Sequence, residues 1–295
     1  MNVIVFGGAG FLGSWIVKKL IEIDYNVTVF DLRIDNYLLK KLIGDKVSQV
    51  KFITGDITNY EQVHSSINKM DLDYVINLAG LMTPDCSKNP ILGAQVNILG
   101  AINVFEAVKD HGISFVVYAS SAGVFGQKDN YLPFPETHYG SYKLAVEGIA
   151  RAYFLENKIS SIGIRPFVIY GPGREVGGTA GVTLACKAAK EGTSFSVNFS
   201  GSAGFVYVED VASLVKLSLD KSPLGANTIN INGITTSVKN FTNIIKNQIP
   251  HANISIKGDA LPVVDEILGG SPKELFKEFQ YTSLEKGINE TMDFY

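Results

Sequence analysis

Met1-Asn2-Val3-Ile4-Val5-Phe6-Gly7-Gly8-Ala9-Gly10-Phe11-Leu12-Gly13 opens the chain, and this stretch decides the fold. Val3–Phe6 is a short continuous apolar run, as expected of a parallel strand covered on both faces. Trp15, Ile16, Leu20 and Ile23 then recur at helical spacing. Between the two elements, a Cβ at position 7, 10 or 13 would block the tight turn, the backbone's approach to a pyrophosphate, or the packing of helix on strand. Phosphates held by such a loop sit on backbone N–H groups at the positive end of a helix. Gly7, Gly10, Phe11, Leu12 and Gly13 are therefore candidates for phosphate binding. A plain glycine turn is the competing reading of the loop taken alone. Further on, Asp31 ends the second apolar run, where a carboxylate can bind both ribose hydroxyls of NAD and repel the 2′-phosphate of NADP. Arg33 could tolerate that phosphate or simply lie on the surface. NAD is the expected cofactor, with NADP the lesser alternative.

The same rhythm continues outward. Val27–Asp31, Val50–Thr54, Tyr74–Leu78, Phe115–Ser120 and Ser161–Val168 read as further strands. Amphipathic stretches separate them, most clearly Pro90–Lys109 with Leu92, Val96, Leu99, Ile102, Phe105 and Val108 three or four apart. Strand–helix alternation with short connections implies βαβ crossovers, an α/β fold and a Rossmann-type doubly wound parallel sheet. Residues 1–170 are expected to form this nucleotide-binding domain. Residues 171–295 would form a smaller substrate lobe on the sheet's carboxyl edge, with about 205–235 returning to the sheet. Helices are expected near Val238–Ile249 and Ser283–Met292, and a strand at Thr228–Ile231.

Composition narrows the function. Hydrophobic residues make up 46% and charged residues 19% of 295, which suits a packed soluble globule. The net charge of −3 gives no support to nucleic-acid or anionic-membrane binding. No apolar run reaches the roughly 18–20 residues of a membrane span. No targeting segment is visible at the start, so a cytoplasmic location is expected. Cys86 and Cys186 are too few and too far apart for a disulfide framework or a zinc site, and no metal site is expected.

Two tyrosines have lysine four residues on. Tyr37–Lys41 lies in a Lys-rich, surface-like stretch and reads as chance. Tyr139–Lys143 starts a helix soon after the fifth strand, and residues four apart share one helix face. An ordinary phenol, with pKa about 10, is a poor base at neutral pH. A fixed ammonium nearby favours the phenolate and makes it usable. The bland alternative is a packed tyrosine and a solvated lysine. Upstream, Tyr118-Ala119-Ser120-Ser121-Ala122-Gly123-Val124-Phe125-Gly126 ends a strand in hydroxyls at the edge where open α/β sheets bind ligands. A hydroxyl there can bond a substrate oxygen that gains or loses charge, though a serine at such a place can also be only a cap.

Taken in order, Gly7-x-x-Gly10-x-x-Gly13, Asp31, Gly55-Asp56-Ile57, Asn77-Leu78-Ala79-Gly80, Ser121, Tyr139-x-x-x-Lys143 and Arg165-Pro166-Phe167-Val168-Ile169-Tyr170-Gly171-Pro172-Gly173 resemble the extended short-chain dehydrogenase/reductases. More narrowly, the chain resembles the NAD-dependent epimerase/dehydratase family. The likeness runs over residues 1–173 and resumes at Phe205-Val206-Tyr207-Val208-Glu209-Asp210-Val211-Ala212. It thins over the last 80 residues. The resemblance implies that Tyr139 is the general acid/base and that Lys143 binds the nicotinamide ribose and lowers the tyrosine's pKa. It implies that Ser121 binds the reacting oxygen and that Asp56 and Ile57 frame the adenine. Leu78, Ala79 and Gly80 would let the cofactor pass over the strand end, and Phe167 would lie near the nicotinamide. Helices containing Pro90–Lys109 and Tyr139–Phe154 are the faces this family usually pairs into a homodimer.

The departures matter as much. Nucleotide-sugar members usually carry Asn where this chain has Val168, and Arg where it has Ala203. All four arginines (33, 151, 165, 174) lie before residue 175. Arginine is the side chain suited to bidentate phosphate binding, and lysine replaces it imperfectly. These gaps point to a small sugar-like substrate: a free sugar, polyol or hydroxy acid, oxidised as its hydride passes to NAD⁺. Arg174, followed by Thr179, is the candidate to hold a substrate carboxylate or phosphate, with an ion pair to Glu175 as the competing role. Thr83 and Cys86, after the fourth strand, are expected to face the pocket. The alternative function is a nucleotide-sugar epimerase or dehydratase, resembling UDP-glucose 4-epimerase, with NAD retained. A non-catalytic NAD-sensing protein is the third reading, disfavoured by the intact Ser-Tyr-Lys set.

Overall fold

The computed structural model describes residues 1–68 and 71–295. Its elements run β1 (Asn2–Phe6), α1 (Phe11–Ile21), β2 (Asn26–Asp31), α2 (Tyr37–Ile43), β3 (Lys51–Thr54), α3 (Tyr60–Asn68), β4 (Tyr74–Asn77), α4 (Thr83–Lys88), α5 (Pro90–Ala94), α6 (Gly100–Asp110), β5 (Phe115–Ala119), α7 (His138–Asn157) and β6 (Ser160–Pro166). They continue with β7 (Val168–Tyr170), α8 (Gly181–Glu191), β8 (Phe195–Val197), β9 (Ser202–Tyr207), α9 (Val208–Lys221), β10 (Ala226–Ile231), β11 (Ile234–Ser237), α10 (Val238–Gln248), β12 (Ile254–Ile256), α11 (Pro272–Leu275) and α12 (Leu284–Asp293).

The chain divides into two compact units. The first comprises Met1–Val124, Pro135–Arg165 and Ala212–Ile229. Its seven-stranded sheet runs β10-β6-β5-β4-β1-β2-β3, with β3 to β6 paired parallel through β1. This is the doubly wound order, and the direction of winding reverses between β1 and β4, where such sheets open a ligand crevice. Register brings the strand ends level: Phe6 lies beside Phe30 and Asn77, and Asn77 beside Tyr118. The residues that follow, Gly7, Asp31, Leu78 and Ala119, therefore share one edge. Ile4, Phe6, Val75, Val116 and Tyr118 pack with Val104, Phe105, Val108, Val146 and Ala150 of the covering helices. Phe105 stacks on Tyr153 of α7 at 4.9 Å between centroids, which ties α6 to α7.

The second unit comprises Phe125–Phe134, Pro166–Val211 and Asn230–Tyr295. A three-stranded sheet, β11-β9-β7, and a two-stranded one, β12-β8, carry it. Tyr170, Phe205 and Phe241 form its aromatic centre, with Phe241 5.1 Å from Tyr170 and 5.0 Å from Phe205. Segment 264–270 is stitched down by main-chain bonds Val264–Gly126, Leu268–Asn130 and Asn230–Gly270 and by the side-chain amides of Asn230 and Asn232.

Two sequence expectations are corrected. Ser161–Val168 is not one strand: β6 ends at Pro166 and β7 begins at Val168, in different sheets. The Phe167 N–H turns to the carbonyl of Ile231, while Val168 pairs with Phe205 of β9. Pro–aromatic–β-branched sequence reads as continuous strand, and only tertiary pairing shows the break. The Pro90–Lys109 helix is likewise interrupted, by a π turn at Gln95–Leu99 between α5 and α6. Taken through that turn, Pro90–Asp110 is, among the described residues, a helix long and apolar enough by length and composition alone to cross a membrane, although polar residues interrupt it. Its Ala101, Val104, Phe105, Ala107 and Val108 are buried in the core, which accounts for that apolarity.

Replacing Phe105 with Ala removes both the ring and its stacking on Tyr153, a loss of ~3–5 kcal/mol for a fully buried aromatic. Urea denaturation should show a correspondingly lower midpoint. An unchanged midpoint would mean that the α6–α7 contact does not support the first unit.

Candidate active site

The glycine loop is built for a guest. Gly7 has φ +76°, and a Cβ on it would lie 2.7 Å from the Ala79 nitrogen. A Cβ on Gly13 would lie 2.5 Å from the Gly7 carbonyl oxygen. Both glycines are thus required by the chain's own packing. Gly10 differs: nothing comes nearer than 3.5 Å to its would-be Cβ, and Gly10 is exposed. Its bareness leaves room outside the backbone. Gly10 is also the N-cap of α1 and offers no side-chain cap to the first turn, where Phe11 and Leu12 lie half-buried. Asp31, half-buried at the end of β2, accepts the Ala9 N–H at 3.1 Å and so stands against the loop. Arg33 is exposed.

Around the same edge, Asp56 accepts from both the backbone and hydroxyl of Thr58 at 2.8 Å, while Ile57 is buried against Gly100 of α6. Leu78 bonds back to Phe6 at 2.8 Å, and Ala79 to the Asn77 side chain at 3.2 Å. Gly80 is exposed, and a Cβ there would fall 2.6 Å from Asn97 Oδ1. This donor set fits a dinucleotide: free room at Gly10 beside a helix N-terminus for phosphates, and the Asp31 carboxylate for a ribose. Gly7, Gly10, Phe11, Leu12, Gly13, Asp31 and Asp56–Ile57 would hold it, with Leu78–Gly80 beneath.

The two adjacent serines separate cleanly. Ser120 is buried and donates its hydroxyl to Glu147 Oε1 at 2.5 Å. Ser121 is half-exposed, and its Oγ accepts the Gly123 N–H at 3.0 Å, leaving its own proton to donate. Helix α7 begins further along the chain, at His138, and packs back on the turn Ala122–Val124. Thr137 caps it by accepting the Gly140 N–H at 3.0 Å. Gly140 presses on the turn so closely that a Cβ would lie 2.2 Å from the Gly123 carbonyl oxygen. That contact brings Tyr139 to Ser121: a methyl at Gly123 would be 3.3 Å from Ser121 Oγ and 3.8 Å from Tyr139 Cδ1. One turn along, Lys143 places Nζ 5.6 Å from the centre of the Tyr139 ring. Lys143 is buried, and burial pulls its pKa down to about 8, with nearby Cys86 pushing weakly the other way.

Asn97 is the site residue that the sequence reading passed over. It sits in the π turn, buried, and donates to the carbonyls of Gly93 at 3.0 Å and Leu81 at 3.2 Å. Its Oδ1 is buried without a hydrogen-bond partner. The point 2.6 Å from that oxygen, beside Gly80, is 3.3 Å from Lys143 Nζ, so the orphan acceptor and the ammonium face one small space. An amide inside the apolar stripe of Pro90–Lys109 was the available signal, since π turns in helices often mark functional positions. Cys86 does not face a pocket: it is fully buried, bonded to the Leu81 carbonyl at 3.3 Å, and burial pushes its thiol pKa up. Thr83 is exposed at the start of α4. His138 is exposed at the start of α7, its ring stacked 6.1 Å from Tyr142.

In the second unit, Phe167 is half-buried between β6 and β7. Arg174 Nη2 donates to Thr179 Oγ1 at 3.4 Å, so these two candidates lie together. Glu175 instead pairs with Lys187 at 3.1 Å. Val168 and Ala203 are both buried in the β7–β9–β11 sheet, 3% and 1% exposed. Neither position could present a longer polar side chain without rebuilding that core. Among the described residues, no group of three or more His, Cys, Asp or Glu could hold a metal ion.

Likeness to known proteins covers most of the chain. The model of the NAD dependent epimerase/dehydratase family matches residues 3–232. A putative UDP-glucose 4-epimerase of Methanocaldococcus jannaschii is 33% identical over 84% of this chain and 82% of its own. The decarboxylating sterol-4-alpha-carboxylate 3-dehydrogenase of Saccharomyces cerevisiae is 30% identical over 58% of this chain and 52% of its own. The fold is that of the Thermus thermophilus UDP-glucose 4-epimerase in complex with NAD, at TM-score 0.83 and 22% identity over 100% of this chain and 98% of that one.

The buried lysine gives a prediction. Its folded pKa of about 8 lies below the unfolded value, so the folded state binds fewer protons between pH 8 and roughly 10.4 and stability rises with pH across that window. Below pH 8 the penalty for burying the ammonium is fully present. Lys143→Met should therefore stabilise the nucleotide-free protein at pH 7.5, by ~1–3 kcal/mol on the scale of 1.36 kcal/mol per pKa unit. The gain should shrink by pH 9.5. Thermal unfolding at both pH values checks this; a gap that does not change with pH would mean that Lys143 is not perturbed.

Proposed function

Since the chain belongs to the NAD dependent epimerase/dehydratase family, and is an enzyme of that family, we propose that it inverts a hydroxyl-bearing carbon of a nucleotide sugar with NAD retained. The observation that carries the substrate class is the reach of the likeness to the putative UDP-glucose 4-epimerase. It spans 84% of this chain and so extends past the nucleotide-binding elements into the half that must select the sugar. The missing arginines weigh towards a small free substrate; the relatives weigh more heavily towards a nucleotide sugar. Its pyrophosphate would be held without the usual arginines, with Arg174 and the adjoining Thr179 as the candidate donors.

Bound NAD supplies reversible hydride acceptance. The chain's own residues do the rest. Tyr139, as phenolate, takes the proton of the reacting hydroxyl and later returns it. Ser121 donates its O–H to the same oxygen and steadies the charge that develops there. The Lys143 ammonium, held close to the phenol, favours the phenolate. Asp31 favours NAD over NADP through the ribose hydroxyls.

A second reading keeps one specific support. The sterol dehydrogenase among the relatives is named for net oxidation, and buried Val168 and Ala203 stand where nucleotide-sugar members usually carry Asn and Arg. On that reading the enzyme oxidises a free sugar, polyol or hydroxy acid and releases NADH. Incubation with NAD⁺ and a panel of UDP-sugars, free sugars, polyols and hydroxy acids separates the two. Conversion of a UDP-sugar to its epimer without net NADH is the expected result; NADH accumulating with a free substrate would replace it. In either case Tyr139→Phe should abolish turnover while NAD binding stays within a few-fold, and retained turnover would remove Tyr139 as the base.

We also propose that the enzyme is a homodimer. Ile91, Leu92 and Leu99 on the α5–α6 stretch and Leu155 on α7 are exposed at 75%, 42%, 51% and 62%. Light scattering should give twice the 32.0 kDa chain mass, and Leu99→Glu with Leu155→Glu should give one chain. A monomeric wild type would refute the assembly.

A further inference from the structure

Tyr139, Lys143 and Glu147 stand four residues apart and form a single stripe along α7. The first two carry the proposed chemistry. Glu147 lies too deep to reach a ligand, at 9% exposure, and both of its oxygens are engaged by the chain. Arg165, from β6, donates Nε to Oε1 at 2.7 Å and Nη2 to Oε2 at 2.6 Å, a fork that fixes the carboxylate's orientation as well as its position. Ser120, immediately after β5, donates its hydroxyl to Oε1 at 2.5 Å. One carboxylate thus ties the helix to two neighbouring strands, and the tie to β5 is made by the residue bonded covalently to Ser121.

Stability alone is a poor reason for this arrangement. Removing two charges from water is costly, and apolar pairs of similar volume often serve folding as well or better. An apolar contact, however, has no preferred direction, whereas a forked ion pair with a third bond does. The stripe needs direction. Lys143 must keep its ammonium on the Tyr139 side, and Tyr139 must face Ser121, across a helix start that Gly140 already holds in tight contact.

We propose that Glu147, Arg165 and Ser120 form a positioning clamp that holds the Tyr139–Lys143 stripe in register with Ser121. The clamp touches neither substrate nor cofactor and acts through those three residues. Tyr118, whose phenol lies within the field of Glu147 and Arg165 and is pushed well above its ordinary pKa by burial, is a titratable neighbour of the pair. The proposal rests on the reading of Tyr139 as the base.

Two variants test it. Ser120→Ala keeps the ion pair and cuts only the link to β5. Glu147→Leu with Arg165→Met replaces the whole clamp by apolar volume. The pKa of Tyr139 can be read without a substrate, from absorbance at 295 nm in titrations with NAD⁺ present, by difference from Tyr139→Phe. Both variants should raise that pKa by about one unit as the ammonium drifts from the phenol. With UDP-glucose or whichever panel compound the wild type converts, kcat should fall on the order of 10- to 100-fold, as small misplacements of reacting groups do. KM, the NAD⁺ dissociation constant and the urea midpoint of Ser120→Ala should stay within twofold of wild type. Wild-type kcat and an unmoved Tyr139 titration in Ser120→Ala would overturn the clamp. So would a kcat loss matched by an equal loss of folded protein. If the double variant does not fold, the single hydroxyl deletion decides. Turnover surviving in Tyr139→Phe would instead overturn the assignment of the base, a separate failure.

Discussion

Parallel strands need crossovers that cover both faces of the sheet, so their ends are the places where the chain leaves the core. In this protein those ends are held level by register. Phe30, Phe6, Asn77 and Tyr118 form one row across β2, β1, β4 and β5, and everything proposed to bind nucleotide or substrate in the first unit follows within a few residues of that row. Gly7, Asp31, Leu78–Gly80 and Ser120–Ser121 come together because backbone hydrogen bonds fix the strands, with no need for contacts among the side chains themselves. The glycines follow from the same closeness, since the turn after β1 runs against the turn after β4 with no room for a Cβ at Gly7.

The second constraint is the approach of α7. Its start is pinned at one end by the Thr137 cap and the Gly140–Gly123 contact, and along its length by the Glu147–Arg165 fork. Between these fixed points lie Tyr139 and Lys143. A buried ammonium is expensive, and the lowered pKa of Lys143 registers that expense. It persists where a rigid frame leaves it no way out to water. The orphan oxygen of Asn97 on the other side of the same space is a further unmet polar demand in one small volume. Such unpaired groups collect at sites where a ligand or a proton completes them.

The second unit explains why the substrate is harder to read than the cofactor. Val168 and Ala203 are core residues of the β7–β9–β11 sheet, so the usual polar side chains are not merely missing; their places serve packing. Arg174 and Thr179 are joined to each other, and Glu175 is taken by Lys187. The partner of Glu175 is thus a lysine twelve residues on, not the arginine beside it.

Local sequence determined the βαβ rhythm, the glycine cradle with Asp31, and the Tyr139–Lys143 spacing, because strand periodicity, glycine's missing Cβ and the helical i, i+4 relation are properties of short segments. It also carried the family, through the order of those motifs. Tertiary structure alone decided which of Ser120 and Ser121 keeps a hydroxyl to offer, since the answer is a carboxylate 27 residues away on another element. It decided that Ser161–Val168 divides between two sheets, that Pro90–Lys109 contains a π turn placing Asn97 beside Lys143, and that Cys86 is interior. Each of these depends on partners brought together from distant parts of the chain, and a hydrogen bond across a fold leaves no spacing in the sequence to be read.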